Sequence, residues 1–392
     1  MRCCVLRPGK EKALWQRHPW IFSGAIEELS DCAPGELLPV YSARGEHLAT
    51  AYFQREASLT GRVVAWGNEP AQDAVRRHVR QACSLRDKLR PPQTNAFRLI
   101  NAEGDSLPGL IVDQYANVLV LQINTMGMEL LKPSVLEELR RLYPQHSIQE
   151  KSSASVRVLE GMPKECRTTW HGPTVTEVEI EEYGIRFLVD LVGGQKTGFF
   201  LDQREERRRI ESIASGRRVL NCFAYSGGFS LYALRGGARE VTTVDASGAA
   251  LQLFQRNLDL NDQLAEDRGA RSKAVEADVF EFLRGADLAY DLIILDPPAF
   301  AKKHADVPAA LRGYKDLNRQ AMKAMPSGSL LLTCSCSGHI TQGLFQQAMF
   351  QAAVDADREV RVLGRHMAAM DHPVSIFHPE GEYLKSLLLW VE

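Results

Sequence analysis

Cys336 lies in the run Thr333-Cys334-Ser335-Cys336-Ser337-Gly338, directly after the apolar stretch Leu330 to Leu332. A thiolate at the carboxyl end of a strand, open to a cleft, can attack a pyrimidine ring. Asp296 heads Asp296-Pro297-Pro298-Ala299-Phe300, which also follows an apolar run, Leu292 to Leu295. Two prolines make a rigid, extended corner without N–H donors. Their carbonyls and the Asp296 carboxylate are then left to face a planar base, on which Phe300 can stack. Upstream, Asn221-Cys222-Phe223-Ala224-Tyr225-Ser226-Gly227-Gly228-Phe229 lies between a strand-like and a helix-like run. Glycines in that place let the backbone approach a ligand closely. Asp245 ends the next strand-like run, where a carboxylate suits the two hydroxyls of a ribose. Asp278-Val279-Phe280 ends the one after it, an acid with an apolar pair that can hold an adenine ring.

Taken singly, each piece has a plainer reading. Gly227-Gly228 is a turn, Asp245 and Asp278 cap helices, Pro297-Pro298 punctuates a loop, and Cys334 is a buried thiol. Three such pieces on consecutive strand ends make a nucleoside pocket the better account. The glycine spacing is not G-x-G-x-x-G, and no phosphate-binding Lys or Arg follows the glycines. That combination favours S-adenosylmethionine over a nucleotide, and a dehydrogenase is the least favoured reading.

The elements that must position these residues alternate. Arg218–Phe223, Val241–Asp245, Lys273–Ala277, Leu292–Asp296 and Leu330–Cys334 read as strands, with helices at Phe229–Arg235, Gly248–Asn261 and Leu317–Met325. Such alternation implies a parallel, doubly wound sheet whose ligands sit beyond the carboxyl ends of the strands. Tyr383–Val391 supplies a closing antiparallel strand. This α/β region occupies 181–392. Residues 1–70 hold short apolar runs at 36–41, 47–53 and 59–66, cut by turn signals, and read as a small β-rich domain after a short basic helix, Gly9 to Trp20. Residues 71–180 read as a small α+β domain. It opens on a basic helix, Ala74 to Leu89, and continues through strands at 97–102, 110–113, 118–123 and 147–150 with a helix at 129–143. Lys151 to Pro173 shows little periodicity and reads as partly mobile.

Composition narrows the class without choosing a partner. The 392 residues are 45% hydrophobic and 24% charged, with a net charge of −2, which neither favours nor excludes nucleic acid. No apolar run reaches the ~20 residues of a membrane helix, and the N-terminus lacks the apolar core of a signal peptide, so the cytoplasm is expected. The eight cysteines are scattered, Cys334 and Cys336 are spaced C-x-C, and no second pair at a zinc-like interval accompanies them. Free thiols and no metal are the expectation.

With these residues in view, the sequence resembles the RlmI-type 23S ribosomal RNA cytosine-5 methyltransferases. The resemblance runs through Arg17-His18-Pro19-Trp20-Ile21-Phe22-Ser23-Gly24, Ala102 to Leu110, Gly194-Gln195-Lys196-Thr197-Gly198-Phe199-Phe200-Leu201-Asp202-Gln203-Arg204, Asn221 to Phe229, Asp296 to Phe300, Ser335 to Gly338 and Asp371-His372-Pro373. It implies an N-terminal PUA RNA-binding domain, a central α+β domain and a class I, Rossmann-like methyltransferase domain using S-adenosylmethionine on large-subunit rRNA. By position it assigns Phe223, Tyr225, Gly227, Asp245 and Asp278 to the cofactor and Cys336 to the nucleophile. Asn221 and Val279 join the cofactor set, and Pro297, Pro298, Phe300, Lys196, Asp202 and Arg204 the substrate set. The implied chemistry is addition of the Cys336 thiolate at C6 of cytosine, methyl transfer to C5 and loss of the C5 proton as the thiolate leaves. Asp296, facing N3 or the amino group, would stabilise the adduct. Many related RNA enzymes carry a second Cys where this chain has Ala299, so the resemblance does not supply the group that assists release. A base in folded RNA would have to be flipped out. Arg76 to Lys88 and the cluster Arg204, Arg207, Arg208 and Arg209 are candidates for tracking phosphates. Two rivals stay open: methylation of an exocyclic amino group, which the Asp-Pro-Pro corner also suits, and a non-catalytic RNA-binding assembly factor. Protein partners are not indicated.

Overall fold

A computed structural model describes residues 2–261, 271–285 and 289–392. The chain divides into two compact units. The first comprises Met1–Gly184, Val189–Leu201 and Met370–Gly381; the second comprises Ile185–Leu188, Asp202–Ala369 and Glu382–Glu392.

The first unit carries two separate sheets. Strands β1 (Cys4–Leu6), β2 (Trp20–Phe22), β3 (Ile26–Leu29), β4 (Leu37–Tyr41), β5 (His47–Phe53) and β6 (Leu59–Trp66) form a six-stranded sheet in the order β2-β6-β5-β4-β1-β3. Its inward residues, among them Leu6, Val40, Ala49, Ala51, Phe53 and Val63, make a core of their own. The expected basic helix at Gly9 to Trp20 shrinks to one turn, α1 (Lys12–Trp15). Left-handed backbone at Gly9 and Arg17, φ 81° and 64°, breaks it on both sides, and Trp20 enters a strand instead.

The second sheet runs β11-β10-β9-β8-β7, from β7 (Ala96–Asn101), β8 (Leu110–Tyr115), β9 (Val118–Ile123), β10 (Ser147–Ser153) and β11 (Glu165–His171). Helices α2 (Ala71–Leu89) and α3 (Met126–Leu142) pack on it through Val75, Val79, Leu131, Val135 and Leu139. Residues 151–173 are more regular than their sequence suggests. They finish β10, form the short helix α4 (Ser155–Leu159) and supply β11. An edge strand has one neighbour and a largely solvated surface, so β11 carries Arg167, Thr168 and Thr169 and shows no apolar alternation.

Residues 177–190 form a hairpin, β12 (Glu177–Glu182) and β13 (Ile185–Asp190). The second unit follows: α5 (Arg204–Ile213), β14 (Arg218–Cys222), α6 (Gly228–Arg235), β15 (Glu240–Asp245), α7 (Gly248–Leu260), β16 (Ser272–Glu276), α8 (Val279–Gly285), β17 (Leu292–Leu295), α9 (Val307–Ala324), β18 (Ser329–Ser335), α10 (Gln342–Ala356), β19 (Val360–His366) and β20 (Lys385–Val391). Its seven strands run β16-β15-β14-β17-β18-β20-β19. β14 to β18 are mutually parallel, and β20 is antiparallel to both its neighbours. The order reverses between β14 and β17, the switch point at which such sheets bind ligands. Leu220, Ile293, Leu295, Leu331 and Leu389 form the core with Tyr314, Leu317, Phe345 and Met349 from α9 and α10. Each such large side chain, fully buried, contributes roughly 1.5–3 kcal/mol. β19, which sequence periodicity does not reveal, is the exposed edge.

Candidate active site

The loop leaving β14 is held under strain. Phe223 and Tyr225 both take left-handed backbone, φ 56° and 48°. For bulky residues such conformations cost roughly 1–3 kcal/mol each and persist only where the surroundings impose them. Here the surroundings are explicit. Tyr225 N donates to Asp245 Oδ2 at 2.8 Å, Ala224 N to the Val244 carbonyl at 3.1 Å, and Asn257 Nδ2 to the Ser226 carbonyl at 3.0 Å. Gly227, φ 80°, then opens α6.

Asp245 is half-buried, and its other oxygen accepts from Ser247 N at 2.9 Å. It therefore organises two loops while keeping lone pairs for further donors. Asp278 is exposed and accepts from Glu281 N at 3.0 Å, so it caps α8, and Val279 behind it is buried. Phe280 faces Phe223 edge-on, with centroids 6.4 Å apart, and provides an apolar wall. Asn221 is buried in β14, where its Nδ2 donates to Ser230 Oγ at 2.9 Å, and Ser230 is bonded onward to Thr243 at 2.8 Å. Asn221 thus fixes the start of α6 from within the core.

β17 and β18 are adjacent and parallel, with Leu295 opposite Thr333. Their carboxyl ends therefore deliver the Asp296 corner and the Cys336 loop side by side. Cys336 Sγ lies 3.8 Å from the Pro297 carbonyl oxygen and is half-buried. Pro297 is buried and Pro298 exposed. Phe300 is half-buried and already stacked on Tyr314, with centroids 4.6 Å apart. Cys334 is fully buried, and its thiol is pushed well above its ordinary value by burial, with Asp296 and Glu206 adding to the effect. The two cysteines therefore divide into a core thiol and one at the cleft.

The remaining candidates are more dispersed. Asp202 is buried in the second unit, where its Oδ2 accepts from Tyr383 OH at 2.6 Å. Arg204 and Arg207 are also buried there, leaving Arg208 exposed and Arg209 half-buried. The expected phosphate track over all four arginines is corrected accordingly, because a buried guanidinium cannot meet solvent-borne phosphates. Lys196 belongs to the first unit, with its ammonium over the Phe200 ring at 4.4 Å. The basic face of α2 needs a similar correction. Arg76 pairs with Glu137 at 2.8 Å, Arg77 with Glu69 at 2.6 Å and Arg80 with Glu138 at 3.1 Å. Arg86, 1% exposed, holds Asp105 through two bonds of 2.6 and 2.7 Å.

Three residues around Cys334 and Cys336 escape sequence reasoning. Tyr314 OH accepts from Ser335 Oγ at 3.0 Å and lies 3.1 Å from Ser337 Oγ, and Ser337 Oγ accepts from Ala301 N at 3.2 Å. This network clamps the residues on either side of Cys336 to the Asp296 loop. Glu206 of α5 is buried, and burial pushes its carboxyl up to about 7. Lys385 opens β20 with its ammonium buried, donating to the carbonyls of Ser337 and Tyr383, each at 2.7 Å. A lone lysine at the head of the apolar run Leu387-Leu388-Leu389 was the signal available for it.

A family model described as S-adenosylmethionine-dependent methyltransferase matches residues 109–356, and one described as PUA-like domain matches residues 5–66. The ribosomal RNA large subunit methyltransferase I of Aeromonas salmonicida is 42% identical over 389 residues, 97% of each chain. This chain belongs to that methyltransferase family. The corresponding protein of Photobacterium profundum is 40% identical over 392 residues, 98% of each chain. Among solved structures, SMU.776 complexed with SAH shares the methyltransferase's fold at a TM-score of 0.86 and 24% identity, covering 99% of this chain and 100% of that one.

The methyltransferase's cofactor is S-adenosylmethionine, and the β14–α6 loop fits it. At Gly227 a Cβ would lie 2.0 Å from the Phe254 ring, so the backbone there must stay bare. Asp245 offers acceptors suited to a ribose diol, and Phe223, Val279 and Phe280 offer an apolar bed for a purine.

Proposed function

We propose that this methyltransferase acts on C5 of a cytosine in large-subunit (23S) ribosomal RNA, through a covalent bond between Cys336 and C6. The names of its relatives support ribosomal RNA of the large subunit as the substrate, and the PUA-like match supports RNA contact by residues 1–70. On this reading 71–180 is a central domain and 181–392 the catalytic one. No helix among the described residues is long and apolar enough to cross a membrane. The ribosomal RNA named for the relatives supports the cytoplasm as the site of action.

The observation that carries the covalent route is the Cys336 thiol beside the Pro297 carbonyl, at 3.8 Å. A neutral cytosine is a poor carbon nucleophile at C5. When the Cys336 thiolate adds to C6, the electrons of the C5–C6 double bond shift and C5 becomes enamine-like. Asp296, half-buried beside this position, accepts hydrogen bonds from the amino group or from a protonated N3 and stabilises the charge that develops. S-adenosylmethionine, when bound, would supply the electrophilic methyl group that the activated C5 takes. Loss of the C5 proton to a base then returns the S–C6 bonding electrons to sulfur, and Cys336 is regenerated. Asp245, Gly227, Phe223, Tyr225 and Val279 would hold the cofactor, with Asn221 and Asp278 fixing the helices on either side. Pro297, Pro298 and Phe300 border the base, and Asp202, buried and bonded to Tyr383, is assigned to the substrate side with them. Lys196 remains a candidate for the RNA backbone, and the buried Arg204 does not.

The test is Cys336→Ala. The expected result is loss of at least about a thousandfold in methylation rate, with S-adenosylmethionine affinity by calorimetry unchanged. Full retained methylation would favour an exocyclic amino acceptor. Absence of cofactor binding in the unaltered protein would favour an RNA-binding assembly factor.

A further inference from the structure

We infer that Lys385 is a positioning residue for the nucleophile, its ammonium holding the Cys336 thiolate from the neighbouring strand. The inference rests on the reading of Cys336 as nucleophile. β20 runs antiparallel to β18, with Lys385 directly opposite Ser335. Its Nζ donates to the carbonyls of Ser337 and Tyr383, each at 2.7 Å. The lysine is thus anchored at the residue before Cys336 and at the residue after it. An ammonium has three N–H donors, and two are spent on these carbonyls. The side chain is 2% exposed, so its charge acts through a medium that screens it far less than water does.

Burying a lysine at the head of an apolar strand is costly unless its charge has a counterpart. Cys336 is such a counterpart, since its negative form favours protonated Lys385, and Glu382 acts in the same direction. Against these, burial is the largest effect and lowers Lys385 to about 8. The ammonium is therefore present at neutral pH and is lost as the pH climbs past that value. The other groups around the two cysteines work differently. Asp296 from the β17 end and Glu206 from α5 both disfavour a thiolate at Cys334. Arg209 lies 3.7 Å from Glu206 and offsets part of its charge, and Tyr314 from α9 is itself made less acidic, mainly by burial and additionally by Cys336. Those carboxylates act on the core thiol, whereas at Cys336 the charged group that favours an anionic sulfur is Lys385. In this role Lys385 transfers no proton. The thiol proton leaves to solvent, the sulfur lone pair forms the S–C6 bond, and the ammonium receives the returning charge when that bond breaks.

The test is the alkylation rate of Cys336 by iodoacetamide from about pH 6 to about pH 10, followed on the Cys336 peptide by mass spectrometry. Lys385→Gln keeps N–H donors for the two carbonyls but removes the charge, and Lys385→Arg restores it. The Gln variant is expected to shift the midpoint upward by about one pH unit, with about tenfold slower alkylation at neutral pH. The Arg variant should recover most of the rate. A Gln variant that binds S-adenosylmethionine normally and alkylates with the unaltered profile overturns the inference. Should that variant not fold, the unaltered protein still decides the matter. Anionic iodoacetate should gain on neutral iodoacetamide at pH 7, and the advantage should fade above about pH 8 as Lys385 loses its proton; a ratio independent of pH overturns it. Full methylation by a Cys336→Ala variant, by contrast, would remove the nucleophile reading and leave these alkylation rates untouched.

Discussion

Gly227 combines φ 80° with a Cβ position 2.0 Å from the Phe254 ring. Gly227→Ala therefore meets strain and overpacking together, at a cost of roughly 2–5 kcal/mol. Calorimetry is expected to give at least tenfold weaker S-adenosylmethionine binding, with a lowered melting temperature. Tyr314→Phe probes the other half of the site, because its hydroxyl joins Ser335 and Ser337 around Cys336. Loss of that bridge should cost about 1–2 kcal/mol of stability and slow methylation, with cofactor affinity unchanged. The glycine, Asp245 and Cys336 were readable from the chain because their types are informative at strand ends. Tyr314, Glu206 and Lys385 were not, because each lies far in sequence from Cys336 and gains its meaning from packing. The reverse error occurred with charge. Arg204 and Arg207 look like surface cations in sequence, yet the buried face of their helix, which also holds Glu206 and Ile210, carries them inward.

At the level of elements, α5 brings a carboxyl group into the core. Glu206 sits near 7 in the folded state against about 4.5 when unfolded, because burial disfavours its charge. Between those two values the folded protein binds more protons than the unfolded one. Stability should therefore fall as pH rises from about 4.5 to about 7. Glu206→Gln should flatten that descent and leave the variant more stable than the unaltered protein above pH 7, by about 3 kcal/mol at most. Urea unfolding midpoints across this range check it, and an unchanged slope would contradict it. The central strands of the three large sheets were visible as apolar runs, since a strand buried on both faces has little room for polar residues. Edge strands β11 and β19 and the β12–β13 hairpin were not visible, because one open side lets polar residues in and erases the pattern.

Over the whole molecule, the chain order and the spatial order differ. Residues 370–381 come after β19 yet complete the first unit. Asp371 Oδ2 accepts from Arg98 N at 2.9 Å, and the Asp371 carbonyl accepts from Arg86 Nη2 at 2.9 Å. The Pro373 carbonyl accepts from Asn101 Nδ2 at 2.9 Å. The Asp371-His372-Pro373 motif is thereby a fastener, a role no local pattern could disclose. Arg86 joins this segment to α2 and to Asp105, so Arg86→Met leaves a buried carboxylate uncompensated. It should cost about 3–5 kcal/mol, read as a lower unfolding temperature. Activation by Cys336 of C5 of a cytosine in large-subunit rRNA is tested most directly with such RNA labelled with tritium at C5 of cytidine. One tritium should be released to water for every methyl group transferred, and none by the Cys336→Ala variant. Methyl transfer without tritium release would contradict that activation.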